Sequence, residues 1–158
     1  MGQTDLDILD EREVSFPPAH TAEHLLNQLM IRMFGCERSH DAHVERKKSK
    51  ITYRLENKPD RKVEREIERQ MNELIEQDLP VTYEMVDRWN LPDDIPLDRL
   101  PADAPDTIRL VRIGDYDVCA CIGKHVRSTG QIGRFELLGT NWDEKERTFR
   151  IRFKVIPR

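Results

Sequence analysis

The sequence predicts an α+β fold, a two-layer sandwich in which two main helices pack on a mostly antiparallel sheet. Two observations predict it. Apolar residues recur at helical spacing in two segments, and several short segments alternate between apolar and polar residues. A helix shows one apolar stripe and a half-buried strand one apolar face, so the two kinds of element bury those surfaces against each other.

The elements follow in order. Residues 1–12 read as a loose N-terminal segment, closing with a short strand around Glu13–Phe16. Pro17 and Pro18 are expected to stop any regular element there. A helix follows from about Ala19 to Phe34, where Leu25, Leu26, Leu29, Met30, Met33 and Phe34 form the buried stripe and Gly35 stands where a C-cap belongs. Ile51–Leu55 alternates as a strand. Asp60 is placed to cap a second helix, Arg61–Gln77, with Val63, Ile67, Met71, Leu74 and Ile75 on one face and charge on the others. Val81–Trp89 fits a strand or a short helix. Leu91–Pro105, rich in Pro and Asp, reads as a surface loop. Thr107–Ile113, Tyr116–Cys121, Arg134–Leu138 and Arg147–Val155 complete the strands. In the last of these, Phe149, Ile151, Phe153 and Val155 share one face, and Arg150, Arg152 and Lys154 the other. Residues 1–158 are expected to form one module.

The composition narrows the function classes. With 37% hydrophobic and 35% charged residues the chain can build a core, and its net charge of −4 does not announce a nucleic-acid partner. Any basic footprint must be local. The candidates are Arg46, Lys47, Lys48 and Lys50 in one cluster, and Arg147, Arg150, Arg152 and Lys154 on the last strand. No apolar run reaches the ~18 residues that cross a bilayer, and acids occupy the N-terminus where a signal peptide carries bases. A cytoplasmic location without a membrane partner is expected. Three cysteines in a reducing compartment favour metal binding or a free thiol over disulfides.

Two short motifs carry the chemistry. The first helix begins His20-Thr-Ala-Glu-His24, which puts two imidazoles on one helical face. Far down the chain, Cys121-Ile-Gly-Lys-His125 offers a thiolate and a third imidazole from a glycine-containing turn. Three nitrogens and one sulfur suit tetrahedral Zn2+. Spacing alone leaves open whether the two halves meet.

The residues that follow supply a resemblance. His125-Val-Arg-Ser-Thr-Gly130-Gln-Ile-Gly133-Arg-Phe135 resembles the Cys-x-x-x-His-Val-x-x-Thr-Gly-x-Ile-Gly-x-Phe signature of the editing domain of alanyl-tRNA synthetases and of free-standing AlaX-type proteins. His20-Thr-Ala-Glu-His24-Leu-Leu is similar to the other half, His-x-x-x-His-Leu-Leu. These domains are similar in turn to the second additional domain of threonyl-tRNA synthetase. The resemblance covers about Ala19–Gly35 and Arg109–Leu138 and is of the short AlaX form. It implies zinc held by His20, His24, Cys121 and His125. It also implies hydrolysis in trans of mischarged aminoacyl-tRNA, with Ser-tRNA(Ala) the first expectation and Gly-tRNA(Ala) the second, and tRNA as partner. The alternatives are a non-catalytic, zinc-stabilised RNA-binding relative and a zinc hydrolase of another aminoacyl ester. The oligomeric state is left open.

Departures from the family pattern mark further candidates. Glu23 stands where the alanyl group often has Thr; it can serve as a general base or as an ordinary helix-surface acid. Ile122 and Lys124 replace residues of Cys-Gly-Gly-Thr-His, and Lys124 can meet a phosphate. Cys119 shares a strand face with Cys121 and is an alternative ligand, a pocket residue or a buried thiol. His40 lies at the spacing of a polar pocket residue in the family and can relay a proton, with Asp41 and His43 in the same loop able to swap roles. Gly123 can bring the backbone close to the metal or to the terminal adenosine, and Arg127 and Arg134 flank the motif.

Overall fold

The computed structural model describes residues 16–93, 95 and 105–157. Its order is α1 (Pro17–Phe34), β1 (Asp41–His43), β2 (Ser49–Arg54), α2 (Arg61–Glu76), β3 (Val81–Asp87), β4 (Thr107–Ile113), β5 (Asp117–Ala120), a 3-10 turn (Thr129–Ile132), β6 (Arg134–Asp143) and β7 (Thr148–Ile156). The expected antiparallel strands divide into two sheets. One has the order β1-β2-β7-β6 and the other β3-β4-β5.

Helix α1 starts earlier than its sequence suggests. Pro17 and Pro18 occupy its first turn rather than blocking it, because N–H groups there have no partner within the helix anyway. Phe16, extended and buried, precedes them. Gly35 closes the helix in the left-handed conformation at φ 67°, and its N–H bonds Ile31 O. Asp60 caps α2 by accepting from the Val63 N–H at 2.9 Å. Ile67, Met71, Leu74 and Ile75 are the buried face of α2, at the spacing of one helical stripe.

Both helices pack on the inner face of the larger sheet. Tyr53, Phe135, Phe149 and Phe153 are almost fully buried there against Leu25, Leu26, Leu29 and Met30 of α1. Burial of each such apolar side chain contributes about 1.5–3 kcal/mol. Val81–Asp87 is a strand, paired along its length with β4. Strand β6 runs past Leu138 to Asp143 because a bulge at Leu137/Gly139 interrupts the alternation that marks its first half. The smaller sheet turns Val81, Val111 and Ile113 toward the main core, while Ile108 and Leu110 meet Ile95 on its other face. The remaining expectations for residues 1–15 and for most of Leu91–Pro105 lie outside the described residues. Among the described residues no helix is long and apolar enough to cross a membrane.

Candidate metal centre

The two motifs converge. His20 and His24 project from the first turns of α1, and both are buried, at 3% and 4% exposure. Strand β5 ends just before Cys121, and the turn that follows brings Cys121 and His125 over the same helix end. Cys121 Sγ lies 3.3 Å from His20 Nε2, and His125 Nε2 lies 3.1 Å from His24 Nε2. One donor atom from each of the four residues falls within 4.8 Å of every other. The edge of a tetrahedral zinc site with bonds of about 2.0–2.3 Å is roughly 3.3–3.7 Å, and the His20–Cys121 and His24–His125 separations lie near it.

The remaining ring nitrogens are also engaged. His20 Nδ1 donates to Lys124 O at 3.1 Å, and His125 Nδ1 faces Tyr83 Oη at 3.2 Å. His24 Nδ1 lies 3.7 Å from Asp117 Oδ2 and 3.4 Å from Arg38 Nη2. With Nε2 turned into the cluster, Nδ1 carries the proton, and the carboxylate is the partner it can serve. Burial and the neighbouring His24 lower His20 to a pKa of about 3; burial and the other two histidines lower His125 to about 2. Both therefore offer lone pairs at neutral pH. Burial disfavours charge on His24, but Asp117 and the thiols of Cys119 and Cys121 outweigh it and raise its pKa.

The turn that carries Cys121 and His125 is braced from several sides. Arg109 on β4 donates to the carbonyls of Cys121 and Gly123, and its guanidinium stacks 4.5 Å from the Tyr83 ring centre. Tyr83 Oη accepts from the His125 backbone N–H, and Thr21 Oγ1 from that of Val126. Gly123 is buried at φ 112°, a conformation that favours glycine.

The structure separates the other candidates. Glu23 is half-buried beside His24 and Arg38; burial raises its pKa against the pull of those two cations. Cys119 stands next to His24, outside the four-atom set. Burial opposes its thiolate, while His24 and Arg38 outweigh burial and lower its pKa. Lys124 and Arg127 are exposed on the metal turn. His40 is exposed just before β1, with no contact to the cluster among the described residues, and His43 pairs instead with Glu45 at 2.7 Å. The sequence reading did not single out Asp117, Arg38 or Tyr83, or a bracing role for Arg109. Asp117 carried a usable signal, since it shares the period-2 face of Cys119 and Cys121.

Fold and site together define an α+β protein that can hold a metal ion through three imidazoles and a thiolate. The description "Threonyl and Alanyl tRNA synthetase second additional domain" matches residues 108–152. An alanine–tRNA ligase of Halorubrum lacusprofundi is 31% identical over 88% of the chain and 15% of the ligase; one of Treponema denticola is 34% identical over 73% and 20%. Alanyl-tRNA editing protein AlaX-L of Pyrococcus horikoshii is 32% identical over 75% of the chain and 29% of that protein. The chain is thus homologous over most of its length to alanyl-tRNA synthetases and to AlaX-L. It spans less than a third of the length of each of these relatives.

Proposed function

We propose that the protein is a zinc-dependent deacylase that hydrolyses mischarged aminoacyl-tRNA in trans, with Ser-tRNA(Ala) as the first substrate and Gly-tRNA(Ala) as the second. The observation that carries this reading is the convergence of His20, His24, Cys121 and His125 in a chain related to an alanyl-tRNA editing protein. These four residues would hold the ion, which when bound supplies Lewis-acid chemistry near an ester carbonyl.

The chain's own groups divide the rest of the work. Glu23 takes the proton of the attacking water as its oxygen adds to the ester carbonyl. It returns that proton to the ribose oxygen when the carbon–oxygen bond breaks, so the products are a free amino acid and uncharged tRNA. Burial raises its pKa, which makes its carboxylate a stronger base than an exposed one. His40 reaches the substrate from its loop. Lys124 and Arg127 meet phosphates of the terminal nucleotides, and Gly123 lets the backbone come close to them. Cys119 lines the wall beside His24 and shapes the space for the amino acid.

The test is to incubate the zinc-loaded protein with Ser-tRNA(Ala), Gly-tRNA(Ala), Ala-tRNA(Ala) and Ser-tRNA(Thr), beside a Cys121→Ala control. Loss of the amino acid from one mischarged species, abolished in the control, is the expected outcome. No loss from any of them with zinc bound would refute it and favour a non-catalytic RNA-binding role.

A further inference from the structure

The outer face of the four-stranded sheet is positive in a chain whose net charge is −4. Alternation turns Ile51, Tyr53, Phe149, Ile151 and Phe153 inward, so Lys50 and Arg54 of β2 and Arg150, Arg152 and Lys154 of β7 face outward. The two central strands carry no acid. Acids on this face stand only on the flanking strands, as Asp41 on β1 and Glu136 and Asp143 on β6. Glu136 is occupied by Arg134 and Lys154. Among the described residues, Lys50, Arg54, Arg150 and Arg152 have no carboxylate within ion-pair distance; Arg150 reaches only the Thr52 hydroxyl, at 3.3 Å.

Register makes this more than solubilising charge. Lys50 lies directly opposite Arg152. Like charges in facing positions of neighbouring strands destabilise a sheet, whereas a surface built for solubility mixes signs across strands. Arg150, Arg152 and Lys154 follow one another at about 6.7 Å along β7, and β2 runs about 4.8 Å away. The result is a shallow positive lattice, continued by the exposed Lys47 and Lys48 in the turn before β2.

We propose that this face docks the phosphate backbone of a double-helical part of the RNA substrate. The choice of RNA among polyanions rests on the deacylase reading; the docking face itself rests on the charge pattern. Contacts of this kind hold the backbone without reading sequence, and they give a trans-acting module an anchor away from the metal turn.

The experiment titrates the full zinc-loaded chain with uncharged tRNA(Ala) across a salt series, followed by fluorescence anisotropy. A Lys50→Gln/Arg150→Gln/Arg152→Gln variant should bind at least about tenfold more weakly near 0.1 M salt. Its log K against log salt should be shallower by about 2–3, at roughly 0.9 per lost phosphate contact. The charge-keeping variant Lys50→Arg/Arg150→Lys/Arg152→Lys should regain most of the affinity, and circular dichroism melts should show all three proteins folded. On aminoacyl-tRNA the neutralised variant should raise KM and leave kcat unchanged. Unchanged affinity and slope in the neutralised variant would overturn the proposal. So would binding of the parent chain to phosphatidylserine-containing vesicles but not to tRNA. A chain that binds tRNA through this face yet hydrolyses no aminoacyl-tRNA would refute the deacylase and leave the docking face standing.

Discussion

Replacing Asp117 by Asn keeps the shape of a buried side chain and removes its charge. Asp117 is fully buried, and its carboxylate accepts from Arg38 at 2.9 and 2.8 Å and from Gln28 at 2.9 Å. Arg38 is itself only 14% exposed. The amide would leave that guanidinium buried without a counter-charge, and breaking a buried pair from one side costs about 3–5 kcal/mol. At about 2–4 °C per kcal/mol for a chain of this size, the metal-free protein should melt roughly 6–20 °C lower. Thermal melts in excess chelator measure this directly. The sign of the pH dependence follows from the folded pKa of Asp117. Burial pushes that pKa up, but hydrogen bonds from His24 and Arg38 outweigh burial and hold it below the ordinary 3.8. The stability it contributes is therefore present above 3.8 and lost as pH falls through the folded value, so the gap between parent and variant should narrow below pH 3.8. Because Asp117 also faces Nδ1 of His24, zinc affinity should fall ~10–100-fold. A melting difference under about 3 °C at neutral pH, with zinc affinity unchanged, would refute the reasoning.

Other perturbations address the remaining parts of the site. Cys121→Ala and His24→Ala should each lower the bound zinc measured by elemental analysis and abolish hydrolysis; full zinc and full activity in both would refute the centre. Glu23→Gln should cut turnover at least about 100-fold, the lower range for general acid–base catalysis, with zinc retained; an unchanged single-turnover rate would remove its role. Arg109→Met frees the carbonyls of Cys121 and Gly123 and should weaken zinc binding ~10–100-fold in competition with a chromophoric chelator. Equal affinity would show that the turn holds its shape without that clamp.

Elements with one dominant local signal were legible in the sequence. The stripe of α2 and its Asp60 cap needed no tertiary information, nor did the strict alternation of β7 or Gly35 after α1. Elements whose state depends on a partner were not. Val81–Asp87 becomes a strand through β4, and the second half of β6 hides behind a bulge that shifts its register. Pro17 and Pro18 misled because a proline that breaks a helix interior is well placed in its first turn. At the site, two spaced motifs made the four donor residues legible as two pairs, and only the resemblance to an editing domain joined the pairs into one set. The braces were not legible, since Arg38, Arg109 and Tyr83 act on carbonyls, carboxylates and ring nitrogens that only the fold brings near. No spacing rule connects Tyr83 to His125.

That arrangement bears on how the metal and the fold depend on each other. The unligated ring nitrogen of each histidine faces a group from a different element: Lys124 O for His20, Asp117 for His24 and Tyr83 for His125. The imidazoles are thus aimed by the protein and need little rearrangement to bind. The same braces hold Nε2 of His24 and of His125 3.1 Å apart, where the proton that His24 keeps through its raised pKa bridges to the lone pair of His125. A metal ion at the centre takes the place of that proton and accepts both lone pairs. Burial lowers the proton affinity of His20 and His125, so among the three rings only His24 gives up a proton on binding a metal ion. Part of its binding free energy is then folding free energy, spent on holding α1 against the β5 turn. Chelation should accordingly loosen that contact before it disturbs the Phe135–Phe153 stack of the larger sheet, whose ring centres lie 5.1 Å apart. Hydrogen exchange with and without zinc, compared between the amides of Cys121–Val126 and those of β7, would reveal that order. Equal protection changes in both regions would show instead that the centre and the core open as one unit.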